Sequence, residues 1–364
     1  MTSDLLLRCA SGNPEELSLV SPESWEQLAA LARLEGMEGL LYYRCLQAQI
    51  EIPSPYLHAL RRSYRMVAER NCIALAHLQE LLDQAADTIG LEFLVLPGAS
   101  LLPLYPDEGC RPMDDVDLLV RAGKLEEAGA FLRSQGFEQA QRHDGLFTGR
   151  GLTLDLHTDL VNRDRIRARS DAVRMDMDEV WRSARAYSTS ALTARALSVE
   201  DEILYTALHS LRHSFRRLTW FIDFQLLARS DPDWEVAERK ALQCNSMQSV
   251  NYCLRYLEDR LPYPAAGAPA TPDLPALGLV EGFLFRRLSA TRPQSELGEI
   301  LWSFSCAGIG ARARFLWEFL FPRPEVLMQV FPRIPRVLIP LAYGLRAAQL
   351  LLRGSRQLSV LAKS

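Results

Sequence analysis

Two aspartates at alternate positions and a third further along the chain are the residues that best indicate chemistry. Asp115 and Asp117 alternate with the apolar Val116 and Leu118, and the two-residue period of a β-strand places both carboxylates on one face. Adjacent carboxylates on a mostly buried strand are unfavourable unless a cation neutralises them. Mg²⁺ or Mn²⁺ accepts such oxygen ligands and can join them to nucleotide phosphates. The pair therefore predicts a divalent metal site rather than two exposed turn acids that cap a helix.

A second alternating segment supplies the third acid. In residues 152–157 leucines alternate with Thr153, Asp155 and His157. If this strand is a neighbour of the first, Asp155 points to the same place and becomes a third metal ligand; the alternative is an exposed strand acid. Two interpretations of His157 stay open, namely contact with substrate or phosphate, and a hydrogen-bonded structural histidine.

The segments around these acids predict an α+β fold in which a small mixed sheet is flanked by helices. Helical spacing of apolar residues and a strand-like run that ends in Pro-Gly support this prediction. The expected elements are strands at 91–96, at 115–120 and up to about 158, and helices at 15–90, at 98–105, at 124–135 and almost throughout after 165. The expected parts are an N-terminal helical segment (1–90), the core with the sheet (91–165) and a larger C-terminal helical region (166–364) that includes a Pro- and Ala-rich linker at 262–275.

The motifs in these segments together resemble a bacterial family labelled uncharacterised nucleotidyltransferase, within the DNA polymerase beta-like nucleotidyltransferase superfamily. The matching residues of the core are Gly98, Leu104-Tyr105-Pro106, Arg111-Pro112, Asp115-Val116-Asp117-Leu118-Leu119-Val120 and Asp155-Leu156-His157. A second block, with His209, Arg212-His213, Arg217-Leu218, Trp220 and Asp223, is similar to the helical half of the family. This chain has Pro97 where the family usually has a lysine before the glycine.

The resemblance implies metal-dependent transfer of a nucleoside monophosphate from an NTP, such as ATP, to a hydroxyl or phosphate acceptor. Asp115 and Asp117 would hold the metal with the triphosphate, and Asp155 would position or deprotonate the acceptor. Gly98 and Ala99 would form a turn whose backbone N–H groups approach the triphosphate, because a side chain there would block close contact. Ser100 would donate its hydroxyl. Arg111 would neutralise phosphate charge in place of the cation missing at Pro97, although a surface arginine is an equal alternative.

The second block is interpreted as part of an acceptor pocket. His209 and His213 are four residues apart on a predicted helix and therefore share a face, which is also a metal-ligand spacing. Arg212 and the two arginines that follow would repel a cation, so zinc is not favoured. We expect these histidines to line the pocket together with His157, Trp220 and Asp223; hydrogen bonding between helices is the alternative.

Composition narrows the classes of partner. With 364 residues and a formal net charge of −4, the chain has no general attraction for nucleic acid, and a long RNA acceptor is disfavoured. Only three of its 41 basic residues are lysines, so phosphate would meet mainly arginine and backbone N–H groups. The seven scattered cysteines and the absence of a recognisable signal peptide predict a reducing cytoplasm. The basic C-terminal segment predicts a packed helix with a solvated basic face, and peripheral membrane contact stays open.

Two further functions remain possible on sequence alone. The first is a catalytically silent nucleotidyltransferase-like module that binds nucleotide or a partner, which Pro97 favours and the three acids oppose. The second is a glycosyltransferase that holds Mn²⁺ and a nucleotide sugar through Asp-x-Asp, which would need an α/β domain ahead of the motif. The acceptor is not identified: small molecules, peptides and proteins are all compatible with the sequence.

Overall fold

A seven-stranded mixed sheet lies at the centre of the computed structural model, which describes residues 2–141, 143–163, 166–261, 276–291, 297–331 and 334–361. The strands are β1 (Leu94–Val95), β2 (Val116–Leu119), β3 (Glu138–Gln139), β4 (Leu146–Gly149), β5 (Leu152–His157), β6 (Arg185–Ser188) and β7 (Thr193–Ala196). Their order across the sheet is β3-β4-β5-β2-β1-β7-β6. Helices surround this sheet, so the predicted α+β class is confirmed.

Five helices precede strand β5 in the chain, and the other described helices follow it. The five are α1 (Thr2–Ala10), α2 (Pro22–Glu35), α3 (Glu38–Gln47), α4 (Ser54–Ile89) and α5 (Leu125–Ser134). Those after β5 are α6 (Arg169–Ala172), α7 (Met177–Ser183), α8 (Val199–Arg212), α9 (Leu218–Ala228), α10 (Trp234–Gln243), α11 (Met247–Glu258), α12 (Leu279–Thr291), α13 (Leu297–Trp302), α14 (Gly308–Leu320), α15 (Pro324–Val330) and α16 (Ile339–Leu361). No helix within the described ranges is both long enough and apolar enough to span a bilayer. The predicted linker at 262–275 lies outside the described residues.

The register of the two acid-bearing strands brings their carboxylates together. β2 and β5 pair in parallel, and Asp117 lies directly opposite Asp155. Val116 and Leu118 on β2, like Leu154 on β5, are buried, as the two-residue period requires. The acids therefore leave the sheet on the same face, next to each other.

Apolar cores on both faces hold the sheet in place. Leucines of α4, with Phe131 and Leu132 of α5, pack on one face. Trp181 of α7 and Tyr205 of α8 pack on the other. A third and larger cluster joins the N-terminal helices to the helices that follow the sheet, for example Leu6 with residues of α8, α9 and α11.

The hairpin β6–β7 lies beyond residue 165, where the sequence predicts helices almost throughout. Its strand β7 pairs in parallel with β1, at the opposite side of β1 from β2. Each strand of the hairpin has four residues, which is too short for a clear period-two pattern. The sheet thus takes strands from both sides of residue 165, and the three-part division of the chain stays a prediction.

Helices α3 and α4 clamp the loop that precedes the acidic strand. The buried Asn71 of α4 donates from its amide to the carbonyl oxygens of Glu108 and Arg111, over 2.7 and 2.8 Å. Gly39 of α3 packs so closely on the loop that a Cβ there would lie 1.8 Å from the carbonyl oxygen of Gly109. The N-terminal helices therefore set the path of the chain into β2.

Gly39→Ala should consequently destabilise the protein by about 1–3 kcal/mol, because helix α3 and the loop must separate to admit the methyl group. Chemical denaturation measures the loss in the free energy of unfolding. Gly123→Ala is the matched control, since a Cβ at Gly123 would meet none of the described atoms within 4 Å. Equal stabilities of the two variants would contradict the close packing.

Candidate active site

Asp117 of β2 forms a compact cluster with Asp155 and His157 of β5. Each residue offers one ligand atom, and the three atoms lie within 4.8 Å of one another. His157 Nε2 donates to Asp117 Oδ1 over 2.7 Å and lies 3.6 Å from Asp155 Oδ2. The two carboxylates offer oxygen donors that suit a divalent cation, whereas Nε2 of His157 is occupied by its hydrogen bond to Asp117.

Asp115 adds a third carboxylate immediately before β2 and lines the same cavity. The Asp115 side chain is exposed towards the cavity, but desolvation by the surrounding protein, followed by the negative charges of Asp117 and Asp155, raises its pKa to about 6. The charge of the imidazole at His157 only partly offsets this effect. The cluster thus has an excess of negative charge, and the residues present fit a hard divalent ion such as Mg²⁺.

His157 is held between two oxygen atoms. Nε2 faces the Asp117 carboxylate, and Nδ1 lies 3.2 Å from Asn162 Oδ1. Burial opposes protonation, but the hydrogen bond to Asp117 and the charges of Asp117 and Asp155 outweigh it and raise the pKa of His157. Of the two interpretations left open by the sequence, the geometry is that of a hydrogen-bonded histidine that orients Asp117.

The acids open into a cavity of about 420 Å³ between the sheet and the C-terminal helices. The lining residues from β2, β5, the loop after β5 and α6 are Asp115, Asp117, Asp155, His157, Asn162, Ile166 and Arg169. Those from α8 onwards are His209, Arg212, His213, Glu299, Phe319, Pro322, Val326 and Arg346. The acidic end of this cavity therefore faces a wall that contains basic side chains. Arg346, which the sequence predicts on a solvated basic face, is buried there.

The predicted nucleotide-binding turn contains Gly98 at φ 136°, a backbone conformation that favours glycine. A Cβ at Gly98 would lie 3.9 Å from Arg111 Nη1, so the guanidinium lies beside the turn. Ala99 is buried, and its carbonyl oxygen accepts a hydrogen bond from the Tyr187 hydroxyl over 2.5 Å. Ser100 is also buried and donates its hydroxyl to Glu202. Contacts of Gly98, Ala99 and Ser100 with a nucleotide stay a prediction.

Arg111 makes a two-pronged ion pair rather than a surface contact. Its Nε and Nη2 donate to the two carboxylate oxygens of Asp223, each over 2.8 Å. The Tyr105 hydroxyl donates to the same carboxylate over 2.7 Å. All three residues are buried, so Asp223 neutralises Arg111 and does not line the cavity. The role of Arg111 in binding phosphate remains a prediction, but the pair limits its free positive charge.

His209, His213 and Trp220 form an aromatic cluster above the acids. The two imidazole centroids lie 4.6 Å apart, and the indole of Trp220 lies 5.0 and 5.3 Å from them. Both histidines and His157 line the cavity, whereas Trp220 supports the histidines from behind. Three of the predicted acceptor-pocket residues thus line one cavity with Trp220 behind them, and their contact with an acceptor stays a prediction.

Sequence reasoning did not single out several residues that shape the site. Asn162 fixes His157, and Arg169 pairs with the buried Glu299 in the cavity wall. A Cβ at Gly145 would lie 3.1 Å from Asp155 Oδ1 and 2.5 Å from the carbonyl oxygen of Leu156, so only glycine fits beside the third acid. None of these residues belongs to a local pattern, and only the folded chain reveals their roles.

If Asp115 is a metal ligand as predicted, its raised pKa would make metal affinity dependent on pH. Ligands must lose their protons to bind a cation, so Mg²⁺ should bind about tenfold more weakly at pH 5 than at pH 7. An aspartate with an ordinary pKa near 4 would give almost no change over this range. Isothermal titration of Mg²⁺ at both pH values measures the effect. Equal dissociation constants would contradict the raised pKa.

Comparison with known proteins gives a family match. None of the curated proteins compared with the chain matches it. A crystal structure of an antigenic nucleotidyltransferase-like protein from Paracoccidioides brasiliensis is similar over 49% of this chain and 91% of that chain, with 14% sequence identity and a TM-score of 0.33. The family described as uncharacterised nucleotidyltransferase matches residues 21–262, which include the sheet, the three acids and the aromatic cluster. The chain belongs to this nucleotidyltransferase family, as its motifs predict.

Proposed function

We propose that this protein transfers a nucleoside monophosphate from an NTP to a hydroxyl or phosphate acceptor, with Mg²⁺ or Mn²⁺ as cofactor. The in-register pairing of Asp117 with Asp155, beside Asp115 at the mouth of a cavity, is the observation that carries the proposal. Membership of a nucleotidyltransferase family supports it. A cytoplasmic location is part of the same proposal.

The residues of the site would have separate roles in this reaction. Asp115 and Asp117 would hold the metal ion, which when bound supplies positive charge that stabilises the reacting phosphoryl group. Asp155 would accept the proton of the acceptor hydroxyl while the oxygen of that hydroxyl forms a bond to the α-phosphorus. The bond between the α-phosphorus and the bridging oxygen breaks, and pyrophosphate leaves with the electron pair. His157 would keep Asp117 in position through its 2.7 Å hydrogen bond.

The cavity would admit the acceptor from the side of the helical region. His209 and His213, supported by Trp220, would contact it. A cavity of about 420 Å³ is within the range of small-molecule sites. A small molecule, or one side chain of a peptide or protein, therefore fits this site better than a folded nucleic acid.

The test is transfer of label from each of the four α-³²P-labelled NTPs in Mg²⁺ or Mn²⁺, with a bacterial small-molecule extract or protein fraction as acceptor source. Label in a new product or in protein, lost on addition of EDTA, is the expected result. Absence of transfer with every NTP and either metal would contradict the proposal.

A catalytically silent nucleotide-binding module is the second candidate, and one observation favours it. Arg111, expected to supply the cation missing at Pro97, is neutralised by Asp223. Nucleotide binding without any labelled product in the same experiment would select this candidate. The glycosyltransferase alternative is not supported, because the residues ahead of β1 form helices rather than an α/β domain.

A further inference from the structure

Arg212 occupies an unusual position in the cavity wall opposite the acids. It lies at the end of α8 between His209 and His213, and its side chain is partly buried. Nη2 lies 3.4 Å from His209 Nδ1 and 3.2 Å from His213 Nε2, and Nε donates to the same His213 nitrogen over 3.3 Å. Arg212 makes no ion pair with any carboxylate of the described residues.

These contacts determine the protonation state of both histidines. A guanidinium has donors and no acceptor, so His209 Nδ1 and His213 Nε2 must accept its hydrogen bonds. Each imidazole in this arrangement is neutral and carries its proton on the other nitrogen. Burial, with the nearby positive charge of Arg212, accordingly lowers the pKa of His209 well below its usual value. The histidines thus orient Arg212 without neutralising it.

Two other arginines near the site have their charge matched by an acid. Arg169 pairs with Glu299 and also donates to the carbonyl oxygens of Val161 and Asn162. Arg111 pairs with Asp223. Burial lowers the pKa of Arg212, as expected for a cation with no adjacent carboxylate. A buried charge without a partner is costly, so an anionic group in the cavity would stabilise this side chain.

We propose that Arg212, held between His209 and His213, is the phosphate-binding residue of the cavity and contacts a phosphoryl group of the donor or of the acceptor. That the bound phosphate belongs to a nucleotide rests on the proposed function, whereas the binding of an anion by Arg212 does not. Arginine suits the role because its planar fork matches two oxygens of a phosphate. It would also supply, from the helical region, a cation that Pro97 cannot supply from the core.

The probe for this site is inorganic triphosphate, titrated calorimetrically in EDTA so that metal plays no part. Arg212→Gln should lose about tenfold in affinity, the value expected for a charge-assisted hydrogen bond, and Arg212→Lys should lose less. Arg216→Ala is the matched control, because Arg216 is an exposed arginine of the same turn and lies outside the cavity. Thermal unfolding of each variant separates loss of binding from loss of fold.

Two outcomes would overturn the proposal: wild-type affinity in Arg212→Gln, and an equal loss in Arg216→Ala. The doubly substituted Asp115→Asn/Asp117→Asn protein should bind triphosphate at least as well as wild type in EDTA, because two negative charges are gone. If the protein binds triphosphate through Arg212 but transfers no nucleotide, the proposed function fails and the phosphate-binding role of Arg212 stands. Competition with metal-free ATP in the same buffer then identifies the source of the phosphate: displacement of triphosphate indicates the donor, and simultaneous binding indicates a phosphorylated acceptor.

Discussion

Asp117→Asn should reduce nucleotidyl transfer by about a thousandfold or more. Loss of one metal ligand removes several kcal/mol of transition-state stabilisation, and each 1.4 kcal/mol is about a factor of ten in rate. The substitution also replaces the charged acceptor of the 2.7 Å hydrogen bond from His157 by a neutral amide oxygen, which weakens that bond. Initial rates with a labelled NTP, together with the rise in melting temperature caused by Mg²⁺, measure the effect.

Asp114→Asn is the control for this experiment. Asp114 precedes Asp115 in the chain but is exposed, and it lies 3.6 Å from Arg70 and 3.7 Å from Arg217, outside the cavity. Activity should stay within about twofold of wild type, because exposed ion pairs contribute little. Substantial activity in Asp117→Asn, or a similar loss in Asp114→Asn, would contradict the placement of the metal site.

Arg111→Ala should destabilise the fold by about 3–5 kcal/mol, because it leaves the carboxylate of Asp223 buried without its partner. The Tyr105 hydroxyl would be the only remaining donor to this carboxylate among the described side chains. Urea unfolding measures the loss. Lys124→Ala removes one partner of an exposed pair with Glu127 and should cost less than about 1 kcal/mol.

A double-mutant cycle separates the two roles considered for Arg111. If the ion pair is structural, Arg111→Met and Asp223→Leu together should cost much less than the sum of the single changes. Nucleotide affinity of the folded double mutant should then remain close to wild type. Additive effects on stability, with a large loss of nucleotide affinity, would instead assign Arg111 to phosphate binding.

The sequence predicts the acids of the site better than their surroundings, for a physical reason. Asp115, Asp117 and Asp155 lie in local alternating patterns, and such patterns specify which face of a strand a side chain occupies. The α+β class and the limits of α5 follow from equally local signals. The pairing of Asp117 with Asp155 depends on strand order, which the residues of either strand do not encode by themselves.

The residues whose partners are distant in the chain show the limit of this reasoning. Ser100 contacts Glu202, and Arg111 contacts Asp223, more than a hundred residues later in each case. Arg212 adjoins two histidines whose spacing is visible in the sequence, yet its lack of an acidic partner among the described residues emerges only when the whole cavity is assembled. The hairpin β6–β7 is equally hard to predict, because it gains its stability by pairing with β1.

The apolar cluster that joins the first helices to those after the sheet also has a consequence for folding during synthesis. Leu6 and Leu7 of α1 pack in one core with Leu254 and Phe285, and Asp4 lies 3.3 Å from Arg260. Because synthesis proceeds towards the C-terminus, the part of this apolar surface that packs on α11 and α12 stays uncovered until those helices have been made. Contacts between such distant residues slow folding and leave partly made chains prone to aggregate. This protein should therefore depend on chaperones while it is being made, more than its finished stability would suggest.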